Sequence, residues 1–433
     1  MSPAVVGLVA LALMLLIFFS GMPVAYTMAL VGWLGFSWLV SPQAGLGLLA
    51  RDLVGTFSNY GLVVIPLFTL MGQLALHCGV SRRLYDAARA MSGATRGGLA
   101  MATVLACTGF GAVCGSSPAT AATMATVGLP EMKRFGYDPG FAGGTVASGG
   151  GLGMLMPPSV VLIVYGILTQ QSIGRLFVAA VVPAVVICGL FMLAVFLVCW
   201  RRPELGPAGE KVPWRQKMAS LAQLTEVLAV FLLVMGGLIA GMFTPTEAAG
   251  VGAGGMLLVG LIRRSLTWAG FKKAVSDTLW TSAMTMMLVA GAVVLGHFLA
   301  VTRLPFMIGQ TVASQAWPGW LVVTAVVLIY LVGGCFIDAL ALIMLTIPIF
   351  YPLITGLGYD PIWFGVMIVL VTQMGVITPP VGVNVYVVAG IDGHTSLSAI
   401  FKGAMPFLAA LTLGAALLTA LPQLATWLPE VIY

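Results

Sequence analysis

Apolar runs of about 20 residues recur along the chain from end to end, separated by short polar stretches. A hydrocarbon core of about 30 Å needs roughly 20 residues of helix to cross it, so the pattern predicts a polytopic helical membrane protein. The runs place crossings at about 1–19, 24–40, 61–78, 140–170 and 176–199, then at 222–241, 245–262, 279–300, 362–390 and 404–427. Two other runs, 98–129 and 318–350, are too long for one crossing and are interrupted in the middle. Each predicts a re-entrant helical hairpin. The first turns through Gly115-Ser116-Ser117-Pro118 and the second around Gly333–Asp338. Residues 41–60, with Arg51 and Asp52, read as a loop; 81–96, basic and short, reads as an interfacial arm.

Two of the crossings carry helix breakers. Residues Gly149–Pro158 predict an unwound middle for the span at 140–170, because Pro157 and Pro158 cannot donate to a helix ladder. Thr378–Val381, with Pro379 and Pro380, does the same at 362–390. The two breaks lie 222 residues apart, and so do other pairs. Gly136-Tyr137-Asp138-Pro139 returns as Gly358-Tyr359-Asp360-Pro361, Gly153 as Gly375, Pro23 as Pro245 and Gly32 as Gly254. The chain therefore reads as two copies of one unit, 1–200 and 222–433, joined by a cytoplasmic linker at 201–221.

Five crossings plus a hairpin that returns to its own side is an odd count, so the two copies must be inverted. Charge orients them. With the N-terminus outside, 16 of the 19 basic residues fall on the inner side, and Arg51, Arg175 and Arg303 on the outer. This places both termini in the periplasm, hairpin one on the cytoplasmic face and hairpin two on the outer face. No basic residue precedes the first apolar run, which reads as a span and not a signal peptide.

Composition agrees with the class: 60% hydrophobic, 7% charged, mean hydropathy +1.08. The net charge of +6 reflects the inner loops and no affinity for nucleic acid. Six scattered cysteines without CxxC spacing read as small packing residues.

Opposed hairpins and broken helices describe a secondary transporter with its site near the bilayer midplane. Half-helix N-termini attract anions and bare carbonyls attract cations. Ser116, Ser117, Pro118, Thr120 and Pro158 beside the first break, with Thr378, Pro380 and Asn384 beside the second, are the candidate substrate ligands. Gly115, Ser116, Ser117, Gly151, Gly153 and Met156 form one candidate Na⁺ group; Gly333, Asp338, Thr372, Gly375 and Thr378 form another. Oxygen-only ligation suits Na⁺, and the sequence holds no His or Cys cluster for a transition metal. Asp338 stands alone in an apolar run, with no basic residue within 30 positions. An unpartnered intramembrane acid is a functional candidate by default. Glu131, Asp138 and Asp360 read as solvated or capping residues, Glu247 as a cap and His297 as a hydrogen-bonded packing residue. The glycines also fit close helix packing, and Ser116 and Ser117 fit helix capping.

The segments GAVCGSSPATAAT, LPEMKRFGYDPGFAGG, GMLMPPS, GMFTPTEAA and GVITPPVGVN resemble those of the large membrane subunit of TRAP (tripartite ATP-independent periplasmic) transporters. The likeness covers essentially the whole chain. It implies an all-α fold of two inverted repeats, each with a re-entrant hairpin and a broken helix, working as a Na⁺-driven elevator in the bacterial inner membrane. It implies a small carboxylate substrate, such as a C4-dicarboxylate or sialic acid, delivered by a soluble periplasmic binding protein. It also implies a small four-helix membrane subunit, expected as a separate chain because this one begins directly with a span. Na⁺ is the implied coupling ion, with no organic cofactor. Cys114 stands where many relatives carry Ser. The alternative is a divalent-anion/Na⁺ symporter of similar architecture that needs no binding protein. An enzyme is disfavoured, since HExxH and GxSxG are absent, and a channel lacks a filter repeat.

Overall fold

The computed structural model describes residues 2–18, 20–209, 212–315 and 317–433. Lys211, counted above among the inner basic residues, lies outside them, as do Met1 and Phe19 of the first run. Among the described residues the secondary structure is helical throughout, without a strand. In chain order the first half contains α1 (Pro3–Phe18), α2 (Val24–Leu39), α3 (Pro42–Phe57), α4 (Val64–His77), α5 (Val80–Ser92), α6 (Gly98–Cys114), α7 (Ser117–Arg134), α8 (Pro139–Leu155), α9 (Val160–Thr169) and α10 (Ile173–Arg201). Next are α11 (Trp214–Ala222), α12 (Thr225–Ile239), α13 (Pro245–Ile262), α14 (Trp268–Thr302), α15 (Leu304–Ser314), α16 (Gly319–Gly334), α17 (Ala339–Gly356), α18 (Pro361–Gly375), α19 (Val383–Asp392), α20 (Leu397–Ala420) and α21 (Gln423–Ile432).

Starts and stops follow local chemistry. Asp138, Ser159, Ser172, Thr267, Asp360 and Ser396 each accept a hydrogen bond from the first turn they precede. Thr244 and Glu247 form a reciprocal capping box at the start of α13. Gly115, at φ +66°, ends α6 in a left-handed conformation that a side chain would strain. Glu131 pairs instead with Arg89 of α5 at 3.0 Å, and His297 Nδ1 lies 2.6 Å from the buried Asp52 carboxylate.

Among the described residues seven helical segments are long and apolar enough to cross a bilayer, with Pro139–Thr169 (α8 and α9) taken as one, or eight if the bent pair α11–α12 forms one span. That is fewer than the ten crossings the apolar runs suggest. α1 and α2 hold 16 residues each, roughly 24 Å of helix, short of a full hydrocarbon core. Other expectations are corrected. Residues 41–60 are mostly helix, not loop: Ser41 caps α3 and Pro42 occupies its first turn, a start signal inside a Gly-containing stretch. The first break is narrower than Gly149–Pro158, since α8 runs through Leu155 and only 156–159 is non-helical. The glycines of α8 are buried, so close packing offsets their low helix propensity. α14 starts at Trp268, eleven residues before the expected span at 279, and the last apolar run divides into α20 and α21.

The helix bounds repeat with the sequence offset. α7 and α17 begin at Ser117 and Ala339, α8 and α18 at Pro139 and Pro361, 222 apart in each case. The Pro157-Pro158 and Pro379-Pro380 bonds are both cis. Hydrogen bonds between turns and breaks repeat too: Val160 N donates to Gly115 O at 3.4 Å, and Gly382 N to Cys335 O at 3.4 Å. Each hairpin tip thus reaches the start of the second half of a broken helix.

Candidate functional site

Glycine brings the hairpins onto the broken helices. A methyl group added at Gly111 would lie 2.6 Å from Gly153 Cα, and one added at Gly375 would lie 2.5 Å from the Gly334 backbone. In both halves a first hairpin arm therefore touches the end of a half-helix backbone to backbone. The two tips then meet at one cavity of about 350 Å³. Gly115, Ser116, Ser117 and Pro118 line it from the α6–α7 tip, and Asp338, Ala339 and Leu340 from the α16–α17 tip. Ser116 and Asp338 lie 222 apart and hold the same position, the residue just before the second arm.

Chemically those two positions differ. The Asp338 carboxylate accepts from Leu340 N at 3.1 Å, so α17 begins with a negative cap. The N-terminus of α7 has no side-chain cap, although Ser116 is there to supply one. Among the described residues the Ser116 hydroxyl has no protein partner, and it is only half-buried. One wall of the cavity thus presents an uncapped helix N-terminus and a free hydroxyl, which favour an anion. The other tip presents a carboxylate to the same cavity, which favours a cation. No Lys or Arg among the described residues lines the space.

The other expected ligands are placed as follows. Ser117 is 3% exposed, and its hydroxyl pairs with Asn384. Asn384 is fully buried and does not line the cavity; its Nδ2 donates to Ser117 Oγ at 2.8 Å and to Ala147 O at 2.9 Å. It ties α19 to α7 and α8. Thr120 Oγ1 donates to Ser116 O at 2.7 Å, directly over Gly153, where a Cβ would lie 2.4 Å from that hydroxyl. Pro158 is buried with its carbonyl against Gly115. Thr378 donates to Met374 O at 2.6 Å, Thr372 is buried and donates to Val369 O, and Pro380 is exposed. Gly151 faces the Gln373 side chain, Gly333 faces Leu342, and Met156 is the extended residue that ends α8. Thr378, Pro380 and Asn384 are therefore not gathered into the cavity with Ser116 and Asp338.

Four polar cavity residues escaped sequence reading: Thr69 and Gln73 of α4, and Thr281 and Thr285 of α14. Each pair is spaced i, i+4 and so shares a helix face. Polar pairs at that spacing in otherwise apolar helices are the signal that marks them. Replacing Asn384 with Ala should lower the melting midpoint of the purified protein by several degrees. It leaves Ser117 Oγ and Ala147 O without their partner, about 1–3 kcal/mol for each group left unsatisfied in a buried setting. Differential scanning fluorimetry checks this, and an unchanged midpoint would contradict it.

The family model for the DctM component of tripartite ATP-independent periplasmic transporters matches residues 10–424. The chain belongs to that family. It is 37% identical over 383 residues to the C4-dicarboxylate TRAP transporter large permease protein of Pseudomonas aeruginosa, covering 88% of this chain and 89% of that one. It is 31% identical to the sialic acid TRAP transporter large permease protein of Vibrio cholerae, over 95% and 96% of the two chains. A solved structure of the Alcanivorax borkumensis YdaH transporter has the same fold, with a TM-score of 0.61 at 16% identity over 90% of each chain. This DctM-family chain is a transporter permease subunit and not an enzyme.

Proposed function

We propose that the chain is the large membrane subunit of a Na⁺-coupled importer of a small carboxylate. The observation that carries the reading is the pairing, across one cavity, of the uncapped α7 N-terminus with the Asp338 carboxylate. The substrate carboxylate binds at Ser116–Pro118, where helix amides and the Ser116 hydroxyl replace its water. Na⁺ binds at Asp338 and at the backbone oxygens of the hairpin tips and breaks, an all-oxygen donor set that suits a hard monovalent ion. With no basic side chain among the described residues that line the cavity, the cation supplies the positive charge that draws the anion in. Binding of the two is then mutually favourable, and coupling follows.

The units 1–200 and 222–433 form two inverted repeats in this reading, with both termini periplasmic in a bacterial inner membrane. The helix bounds recurring at 222 residues support it. The glycine contacts hold each hairpin on its broken helix, so hairpins and broken helices travel as one body. Thr69, Gln73, Thr281 and Thr285 stand on the other side of the cavity, on helices α4 and α14 that pack against each other. Sliding of the first body past the second carries the cavity across the membrane, as an elevator does. A binding protein delivers the substrate from the periplasm, and a small membrane subunit supports the chain.

Uptake tests this reading. Liposomes holding this chain with its small subunit should accumulate labelled succinate or sialic acid only with an inward Na⁺ gradient and the binding protein outside. Equal uptake in choline buffer would reject Na⁺ coupling. Full uptake without the binding protein would favour a symporter that works alone.

A further inference from the structure

A second cavity, of about 500 Å³, lies at the far end of α10, away from the transport site. Arg201, Arg202 and Lys402 line it, with Asp138 as the one acid. Among the described residues none of the three cations has an ion pair or a side-chain hydrogen bond, and all are exposed. The Asp138 carboxylate is committed to the start of α8 through Phe141 N at 2.8 Å. The floor is firm: a Cβ on Gly403 would lie 2.0 Å from Gly140 O, so α20 and α8 touch there backbone to backbone. The remaining walls are apolar, built from Val198, Leu205 and Pro406. Trp200, 66% exposed beside Arg201, marks this level as membrane interface, where amphipathic aromatic rings settle.

We propose that this groove binds the phosphate headgroup of an anionic phospholipid. Three cations, with Asp138 as the one acid, leave a positive surface at headgroup depth, and the apolar walls continue it toward the acyl region. A free phosphate would use the cations but not those walls. The occupant would brace α10 against α8 and α20 where all three helices end. The inference requires only that the chain is membrane-embedded and is independent of the transport mechanism proposed above.

Native mass spectrometry of the detergent-purified complex, with phosphatidylglycerol or phosphatidylethanolamine added, tests it. The wild type should retain phosphatidylglycerol selectively. The triple variant Arg201→Gln, Arg202→Gln, Lys402→Gln should bind it roughly a hundredfold more weakly. A charge-matched control, Arg82→Gln, Arg215→Gln, Lys273→Gln, should bind as the wild type does. If the triple variant does not fold, Lys402→Gln alone should still show a several-fold loss. Equal loss in the control, or no loss in either test variant, would overturn the site. Displacement of the lipid by millimolar inorganic phosphate would overturn the lipid assignment in favour of a free anion.

Discussion

Replacing Asp338 with Asn should leave a folded, inserted transporter that has lost its response to Na⁺. Asp338 has two roles that the substitution separates. It caps α17 through Leu340 N, and Asn caps as well as Asp does. It also brings a negative charge to a cavity lined by both hairpin tips, and Asn removes that charge. Insertion scales put a charged acid at a helix centre at roughly 2.5–3.5 kcal/mol, a penalty that a bound cation relieves. Losing most of that coupling predicts a Na⁺ half-saturation raised about a hundredfold, and transport near background at physiological Na⁺. Asp138→Asn, in a cap outside the transport cavity, should change neither number. The measurement is initial uptake against Na⁺ concentration in proteoliposomes. An unchanged half-saturation for Asp338→Asn would make Asp338 a cap and nothing more.

Gly375→Ala should destabilise the protein strongly through one added methyl group. The added Cβ would lie 2.5 Å from Gly334 C and Cα, and these are backbone atoms that cannot rotate away. Hairpin two would have to lift from α18, and Gly382 N would lose its bond to Cys335 O. Overpacking of this kind costs about 1–3 kcal/mol, and more where backbone is the obstacle. The expected result is a melting midpoint lower by roughly ten degrees with transport abolished. Gly254→Ala is the contrast: nothing lies within 4 Å of its added Cβ, so it should be silent or slightly stabilising. Equal midpoints for the two variants would remove close backbone packing as the reason for Gly375.

Much of this architecture was legible in the residues because membrane helices follow simple rules. Apolar runs give spans, adjacent prolines give breaks, and the offset of 222 pairs the elements. The hairpin tips were legible for the same reason, since CGSSP and CFID interrupt runs too apolar to be loops. Three features were hidden. α3 was missed because its glycines and its charged Arg51-Asp52 pair outweighed the Ser41-Pro42 start signal. The length of the first break was overstated because glycine reads as a breaker, whereas in α8 burial against other helices holds it helical. Thr378, Pro380 and Asn384 were grouped as ligands because they lie beside the second break along the chain. The fold turns Asn384 back onto Ser117, and long-range placement of that kind is not written in local pattern. The converse holds for Gln73 and Thr285, which come from helices remote in sequence to the same cavity.

The proposed function requires a substrate carboxylate at the uncapped start of α7 with Na⁺ beside Asp338. The direct test is an electron cryo-microscopy structure of the full complex in Na⁺ buffer, with whichever of succinate or sialic acid the liposomes accumulate. The carboxylate should lie within hydrogen-bond distance of Ser116 and the first-turn amides of α7, with no Lys or Arg side chain on it. A carboxylate held by a basic side chain, or a substrate outside the cavity between the hairpin tips, would contradict it.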